Sequence, residues 1–411
     1  MPLVPQEETY PAWVSSPARS ILPLSVDLRP EAVDQLAAAL AAVRAHPGRA
    51  PVVFPVTAAP SATVLDTLQR GLAALPHTDV VVATTGSTGT PRLVGLAAAA
   101  LDAAAHATAT FLGSPVPAWL LALPPHHIAG LAIIWRSLVA GARLDCFQAS
   151  RFTAPALAAA LAHLPDGAAT SLVPTQLTRA LADPAATAQL ARLRAVLVGG
   201  ASLAPAVEVR ARAAGVPVVR TYGMSETAGG CVYNGRPLPG VRVAAGRGRL
   251  RLAGPMLAEG YLDEPASAAF AAGWHVTNDV GEVTDGVVDV WGRADDVVIT
   301  GGEKVHPARV EEALAPWMQA VCVVGVPDAE WGQRLVVLGV GPTRAWPALR
   351  RELAAALPRS WVPKELLVVD ELPVRGPGKI DRRAAAALAR RLVTGGPTES
   401  PVGAGPNSPS S

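Results

Sequence analysis

The residues whose types and spacing best suit chemistry lie in the run Thr84-Thr85-Gly86-Ser87-Thr88-Gly89-Thr90-Pro91-Arg92. Two glycines let the backbone come close to an anion. Ser87, Thr88 and Thr90 offer hydroxyl donors, and Arg92 adds a permanent charge with a forked donor set that matches phosphate. The run follows Asp79-Val80-Val81-Val82-Ala83, which reads as a buried strand. The turn is therefore expected at a strand's carboxyl end, where α/β sheets hold ligands. No Gly-Lys-Ser/Thr follows at the Walker A spacing, which disfavours a P-loop NTPase. Taken alone, such a stretch is more often an ordinary surface loop.

Six further islands follow, and their order matters more than any one of them. The first is Leu123-Pro124-Pro125-His126-His127-Ile128-Ala129-Gly130. Adjacent histidines point in different directions and no third ligand stands at metal spacing, so a histidine lining a pocket fits better than zinc. Val198-Gly199-Gly200-Ala201, followed by Ser202, reads as a strand running into a small-residue turn against which a planar group could lie. Tyr222-Gly223-Met224-Ser225-Glu226-Thr227 gathers an aromatic face, a hydroxyl and a carboxylate, which suit a nucleotide base, a phosphate and Mg2+; alone it is equally a surface turn. In Trp274-His275-Val276-Thr277-Asn278-Asp279, Asp279 is a short carboxylate able to accept from both hydroxyls of a ribose. Gly292-Arg293-Ala294-Asp295-Asp296 leads through an apolar run to Gly301-Gly302-Glu303-Lys304. This charged turn falls where the composition changes, as a hinge would. Last, Gly376-Pro377-Gly378-Lys379-Ile380-Asp381-Arg382 presents one lysine on a flexible loop.

These islands need a scaffold, and the pattern of apolar residues supplies one. A helix fits Pro30–Ala45, with Leu36, Leu40 and Val43 at helical spacing behind acidic Glu31 and Asp34. Helical stretches then alternate with short β-like runs. The helices fall near 97–111, 129–139, 154–163, 176–182 and 204–214; the β-like runs fall near 119–123, 143–147, 170–173, 194–198 and 216–221. Alternation of this kind implies an α/β fold, a mostly parallel sheet with helices on both faces. From about Arg236 closely spaced glycines and prolines imply a β-rich subdomain, and after Arg293 helices near 307–314 and 346–357 with strands near 321–326, 335–340 and 366–369 imply a compact α+β domain. Residues 1 to about 30 are punctuated by prolines and read as a covering segment; 393–411, rich in Gly, Pro and Ser, read as a disordered tail.

Composition bounds the function. With 411 residues, 50% hydrophobic and 17% charged, the chain can bury a large core divided among domains. A net charge of +2 and the lack of a Lys/Arg block interleaved with aromatics exclude nucleic acid as a main partner. Cys146, Cys231 and Cys322 are odd in number and far apart. They fit buried thiols in a reducing, cytoplasmic setting better than a disulfide framework. The N-terminus has no apolar core of a secretory signal, and prolines interrupt the uncharged run between Asp102 and Arg136 before any membrane-spanning length. Small-molecule substrates are the expected partners, with no membrane insertion; the oligomeric state stays open, a homo-oligomer included.

In this order the motifs resemble those of the adenylate-forming superfamily of acyl-CoA synthetases, luciferases and peptide-synthetase adenylation domains, over about residues 80–385. The resemblance implies a large N-terminal domain over 1–293, with its β-rich part at about 236–293, and a small rotating C-terminal domain over 294–392. It implies a shared first step in which a carboxylate and ATP give acyl-adenylate and pyrophosphate. By the same resemblance, Thr84, Thr85, Gly86, Ser87, Thr88, Gly89 and Thr90 form the phosphate loop with Arg92, and Gly200 and Ala201 lie beside adenine. Tyr222 and Gly223 lie near the base, Ser225 meets phosphate, Glu226 holds Mg2+, and Asp279 and Arg293 bind ribose. Lys379 enters for adenylation, Gly301 and Gly302 lie on the coenzyme A side, and Asp295 is the hinge. Three positions depart from the commoner pattern: Arg92 stands for lysine, Ser225 for threonine and Asn278 for glycine. The first two keep charge or hydroxyl, and asparagine tolerates left-handed backbone better than most residues. The short chain before the phosphate loop, Pro-Pro-His-His-Ile-Ala-Gly, and Ser171-Leu172-Val173-Pro174-Thr175-Gln176-Leu177 resemble the o-succinylbenzoate:CoA ligase branch of menaquinone biosynthesis. That likeness implies ATP and coenzyme A as co-substrates, with His127, Thr175 and Ser202 contacting the acyl substrate.

Overall fold

The computed structural model of the chain describes residues 19–84, 91–149, 151–246, 248–375 and 379–394. They fall into two compact units. The first runs through Leu203 and takes Val207–Thr277 and Gly281–Asp289; the second takes Ala204–Ala206, Asn278–Val280 and the chain from Val290 onward.

Two helix-flanked sheets, as expected, carry the α/β part of the first unit. In the smaller, β1 (Ile21–Ser25), β2 (Val52–Val56) and β3 (Val80–Thr84) run parallel. β4 (Arg92–Leu96) lies antiparallel to β3, and the short strand Gly260–Tyr261 lies antiparallel to β4. Helix α1 (Pro30–Ala45) opens with proline at its first position and buries Val33, Leu36, Leu40 and Val43. Helix α2 (Ala62–Ala74) starts at Ser61, whose hydroxyl accepts from the amide of Val64. The expected covering segment thus contains an edge strand, β1, where Pro23 is tolerated because an edge leaves one row of backbone groups unpaired. β3 ends at Thr84, so the phosphate-loop stretch follows a strand's carboxyl end as expected, and β4 runs antiparallel to β3 with Thr84 opposite Arg92. Asp79, 2% exposed, anchors this corner. It accepts from Arg19 at 2.7 Å, from the Gly48 amide at 2.9 Å and from the Ala98 amide at 2.8 Å. A carboxylate can be buried there because each oxygen has a donor.

The larger sheet has seven strands in the order Arg236–Pro237, β10 (Gly229–Tyr233), β9 (Val218–Met224), β8 (Ala195–Val198), β7 (Ala169–Leu172), β5 (Ala118–Leu121) and β6 (Arg143–Cys146). Neighbours from β9 to β6 are parallel, and β10 is antiparallel to β9. β5, β7 and β8 are buried at all four positions, as strands covered on both faces must be. The helices are α3 (Ala98–Leu112), α4 (Ile128–Ala140), α5 (Ala154–Ala162), α6 (Pro174–Ala180), α7 (Pro184–Ala191) and α8 (Pro205–Ala213). Leu157, Leu161, Leu177 and Leu190 from α5, α6 and α7 join Leu120, Leu172, Val196 and Val198 in one core. A separate five-stranded sheet holds Arg242–Gly246, Arg249–Ala253, Trp274–Thr284, Phe270–Ala271 and Val287–Arg293.

In the second unit, Ala320–Asp328, Gly332–Val340 and Glu365–Val368 form a three-stranded sheet. Alternate residues face opposite sides, as the pleat requires. Val323, Leu335 and Val337 pack with Val310 and Leu314 of α9 (Pro307–Leu314) and with Leu349 and Leu353 of α10 (Trp346–Ala356). Cys322, Val324, Val336 and Leu338 pack with Ala385 and Ala389 of α11 (Arg382–Val393). Two hairpins complete the unit, Val298–Thr300 with Glu303–Val305 and Val374–Arg375 with Lys379–Ile380.

Candidate active site

Parallel strands β5, β7, β8 and β9 are neighbours, so the segments that follow them emerge along one carboxyl edge. His127 follows β5 and precedes α4 as its N-cap. Gly130, in the first turn, sits so close to the preceding chain that a Cβ would stand 2.3 Å from the Pro124 carbonyl oxygen. Thr175 follows β7, exposed in the first turn of α6. Gln176 beside it accepts from the Val173 amide at 3.0 Å and donates to the Ala122 carbonyl at 3.4 Å, tying α6 to the segment that carries the histidines. Gly200, Ala201 and Ser202 form an exposed turn after β8.

Tyr222 and Gly223 lie within β9 itself, not after it, and a 3-10 turn, Ser225–Thr227, follows. Strand β10 returns so tightly that a Cβ on Gly223 would stand 2.1 Å from the Gly229 carbonyl oxygen. Thr227 fixes the turn by accepting from the Met224 amide at 3.0 Å and donating to the Gly229 carbonyl at 2.7 Å. Ser225 is buried and Glu226 half-buried.

Tyr261 joins the two sheets' motifs. Its hydroxyl donates to Glu226 Oε1 at 2.7 Å, and the Arg92 guanidinium lies over its ring, 4.1 Å from the centroid. Arg92 also pairs with Glu264 and reaches Asp263 Oδ2 at 3.9 Å. The pairing of Gly260–Tyr261 with β4 places this phenol, while the Ala258 amide donates to the Glu226 carbonyl at 2.9 Å. Burial and the nearby Glu226 carboxylate raise the Tyr261 pKa, so the phenol remains a hydrogen-bond donor throughout the neutral range. Of the phosphate-loop residues, Thr84 and Arg92 are placed at the ends of β3 and β4; Thr85, Gly86, Ser87, Thr88, Gly89 and Thr90 lie outside the described residues.

Three further side chains, two of them within the quoted motifs but given no role of their own there, stand in this region. His126 Nδ1 is buried with no hydrogen-bond partner among the described residues, its ring centroid is 4.2 Å from that of His127, and burial lowers its pKa. Arg136 is buried in α4, its Nε without a hydrogen-bond partner among the described residues; its Nη2 donates to Tyr233 Oη at 3.3 Å and lies 3.9 Å from where a Gly229 Cβ would stand. No carboxylate pairs with it among the described residues. His275 is buried against Phe270 and Tyr261, with centroids 4.6 and 6.5 Å away. An arginine inside an otherwise apolar helix was the available signal for Arg136.

In the second unit, Arg293 forms a forked pair with Asp295, at 2.8 and 3.1 Å. Asp295 and, more weakly, Asp279 hold its pKa up against burial. Asp279 lies in the strand Trp274–Thr284. Gly301 and Gly302 form the exposed turn of their hairpin, where the Gly301 amide donates to the Trp331 carbonyl at 3.0 Å. Lys379 opens the strand Lys379–Ile380; 376–378 lie outside the described residues, as does the tail 395–411.

Residues 77–262 match the family model of the AMP-binding enzyme, and residues 309–379 match that of the AMP-binding enzyme C-terminal domain. The chain belongs to the AMP-binding enzyme family. Among relatives of this AMP-binding enzyme is a probable 2-succinylbenzoate–CoA ligase of Mycobacterium tuberculosis, 47% identical over 328 residues, covering 76% of this chain and 84% of the relative. A solved o-succinylbenzoate CoA synthetase from Bacillus subtilis, in complex with the acyl-adenylate intermediate, aligns with a TM-score of 0.66 at 26% identity, over 75% of this chain and 69% of that one. The same Bacillus protein in complex with ATP and magnesium ion aligns at 0.65 and 25%, over 74% and 69%. These neighbours share the α/β architecture of a large N-terminal and a small C-terminal domain.

Proposed function

We propose that this AMP-binding enzyme is an ATP-dependent acid:CoA ligase that joins 2-succinylbenzoate to coenzyme A through an acyl-adenylate. The observation that carries the reading is the Arg92–Tyr261–Glu226 arrangement, which sets a cation and a carboxylate on either side of one phenol. In the first half-reaction a carboxylate oxygen attacks the α-phosphorus of ATP and pyrophosphate leaves. Both reactants are anions, so the site must gather cations before proximity can help. Glu226 would hold Mg2+, a cation that keeps several waters and accepts one protein carboxylate plus phosphate oxygens; the half-buried carboxylate with one oxygen fixed by Tyr261 fits that demand. When bound, the ion supplies charge neutralisation to the phosphates. Arg92 would meet the departing pyrophosphate, and Lys379 would bridge the reactants. In the second half-reaction the thiol of coenzyme A attacks the acyl carbon and AMP leaves.

Tyr222, Ser225, Gly200 and Ala201 would bound the nucleotide, and Asp279 and Arg293 its ribose. We place the boundary of the rotating C-terminal domain at 293/294, with Asp295 as hinge and Gly301-Gly302 on the coenzyme A side. A cytoplasmic location fits three free cysteines and the lack, among the described residues, of a helix long and apolar enough to cross a membrane.

The acid carries two carboxylates, and only the aliphatic one is activated. The other would be met by His127, Thr175 and Ser202 and by the buried guanidinium of Arg136. A site built for that carboxylate leaves its donors unpaired when the group is missing. Accordingly 2-succinylbenzoate should be used at least about a thousandfold better in kcat/KM than 4-phenyl-4-oxobutanoate, which lacks the ring carboxylate. Arg136→Met or His127→Ala should narrow that ratio. Comparable rates for the two acids in the wild-type enzyme would refute the dicarboxylate reading in favour of a general aryl-alkanoyl-CoA ligase.

A further inference from the structure

The segment that carries Lys379 is tied to the hinge turn by one half-buried arginine. Lys379 stands in a two-stranded hairpin, paired with Arg375, and the Asp381 amide donates to the Pro373 carbonyl at 2.8 Å. Asp381 then caps α11 by accepting from the amides of Arg383 and Ala384, both at 3.1 Å. The next residue, Arg382, turns inward. Its guanidinium reaches Glu311 of α9 at 2.6 Å, Asp296 of the hinge turn Ala294–Asp296 at 3.2 Å and the Val323 carbonyl at 3.1 Å. Glu311 in turn accepts from the Val323 amide at 2.7 Å. Burial opposes the charge on Arg382, but the two carboxylates outweigh it and hold its pKa above the ordinary value. A three-way contact of this kind needs the planar fork of arginine, because an ammonium is a single point charge.

We infer that Arg382 is a positioning residue that locks the lysine-bearing hairpin to the hinge turn through Asp296 and Glu311, so that rotation about the hinge is delivered to Lys379 without slack. The inference rests on the proposed roles of Lys379 and Asp295. Those roles concern which groups act; the half-buried network concerns how tightly they are coupled. A loosely held lysine would reach the reactants in a small fraction of encounters, and misplacement by about 1 Å is enough to cost roughly a hundredfold. The second half-reaction, which does not use the lysine, has no such demand.

The test separates the half-reactions in the full chain, using pyrophosphate release for adenylation and thioester formation from supplied acyl-adenylate for the second step. Arg382→Lys and Glu311→Gln should each lower kcat for adenylation at least about tenfold with KM for ATP changed less than about threefold, and should leave the thioester step within about threefold of wild type. Arg382→Lys retains the charge and Glu311→Gln nearly retains the shape, so folding is checked for both by thermal melting. Lys379→Ala, measured in parallel, tests the underlying reading: equal loss in both half-reactions there refutes the lysine's role itself. If Lys379→Ala behaves as an adenylation-only lesion while the Arg382 and Glu311 variants lose both steps in parallel, or neither, the coupling proposal is overturned and the network only supports the fold.

Discussion

Replacing Tyr261 by phenylalanine isolates one hydrogen bond at the junction of the two sheets. The ring stays where Arg92 covers it and where Phe270 meets it edge-on, 5.2 Å between centroids. What disappears is the 2.7 Å bond to Glu226 Oε1. A hydrogen bond to a charged acceptor contributes about 1.5–3 kcal/mol. Glu226 is only half-buried and can recover part of that from water, which puts the loss near the lower figure, about 1.5 kcal/mol or roughly tenfold in an equilibrium constant. Partners that orient a metal-binding carboxylate typically change metal affinity by roughly 10–100-fold when removed, so the two routes to the magnitude agree. With Glu226 in the Mg2+-holding role proposed above, Tyr261→Phe should raise the Mg2+ concentration for half-maximal adenylation about tenfold, with much of kcat recovered at saturating Mg2+. The readout is pyrophosphate release across a Mg2+ titration, with thioester formation from supplied acyl-adenylate as control. An unchanged Mg2+ midpoint would show that Glu226 does not need its phenol and would sink the reasoning.

Two further outcomes follow from burial and from close approach. His126, His275 and His306 are all held below the ordinary imidazole value of 6.5, chiefly by burial, with Arg309 and Lys304 adding to the effect at His306. The unfolded chain then binds more protons than the folded one between each folded pKa and 6.5, so stability is complete above about pH 6.5 and is lost as pH falls through the folded values. Urea midpoints should decline from about pH 7.5 to 5.5, with a shallower slope in His275→Phe; a flat profile in the wild-type protein would contradict this. Gly130→Ala would force a methyl against the Pro124 carbonyl oxygen, at a cost of about 3 kcal/mol. It should raise KM for the acid by moving the two histidines, and wild-type denaturation with wild-type KM would count against the packing described.

What could be read from the sequence was mostly local. Helix α1 matches its expected span because Val33, Leu36, Leu40 and Val43 mark one face and Pro30 marks the start. β5, β7 and β8 were legible as short apolar runs. Helix α2 was not recognised, although Val64, Leu65, Leu68 and Leu72 recur at helical spacing, and β1 was hidden by Pro23. Which strands pair within each sheet could not be read, because strand pairing depends on partners far apart in the chain. Tyr261 escaped for the same reason: one contact is 35 residues away at Glu226 and the other, Arg92, is farther still. Arg382 stood inside the lysine motif, but its partners Asp296 and Glu311 come from other segments.

The separation of the two sheets has a consequence for how such enzymes diverge. On the roles proposed above, the triphosphate grip hangs on β3 and β4, whereas His127 and Thr175 follow β5 and β7 of the other sheet. Among the described residues Tyr261 and its neighbours link β4 to the turn after β9, and the two sheets share no ladder of backbone hydrogen bonds. Lengthening or recolouring the segments after β5 and β7 would leave the register of β3 with β4 intact. A lineage can then drift from one acid to another by editing one edge while the energy-coupling chemistry is inherited unchanged.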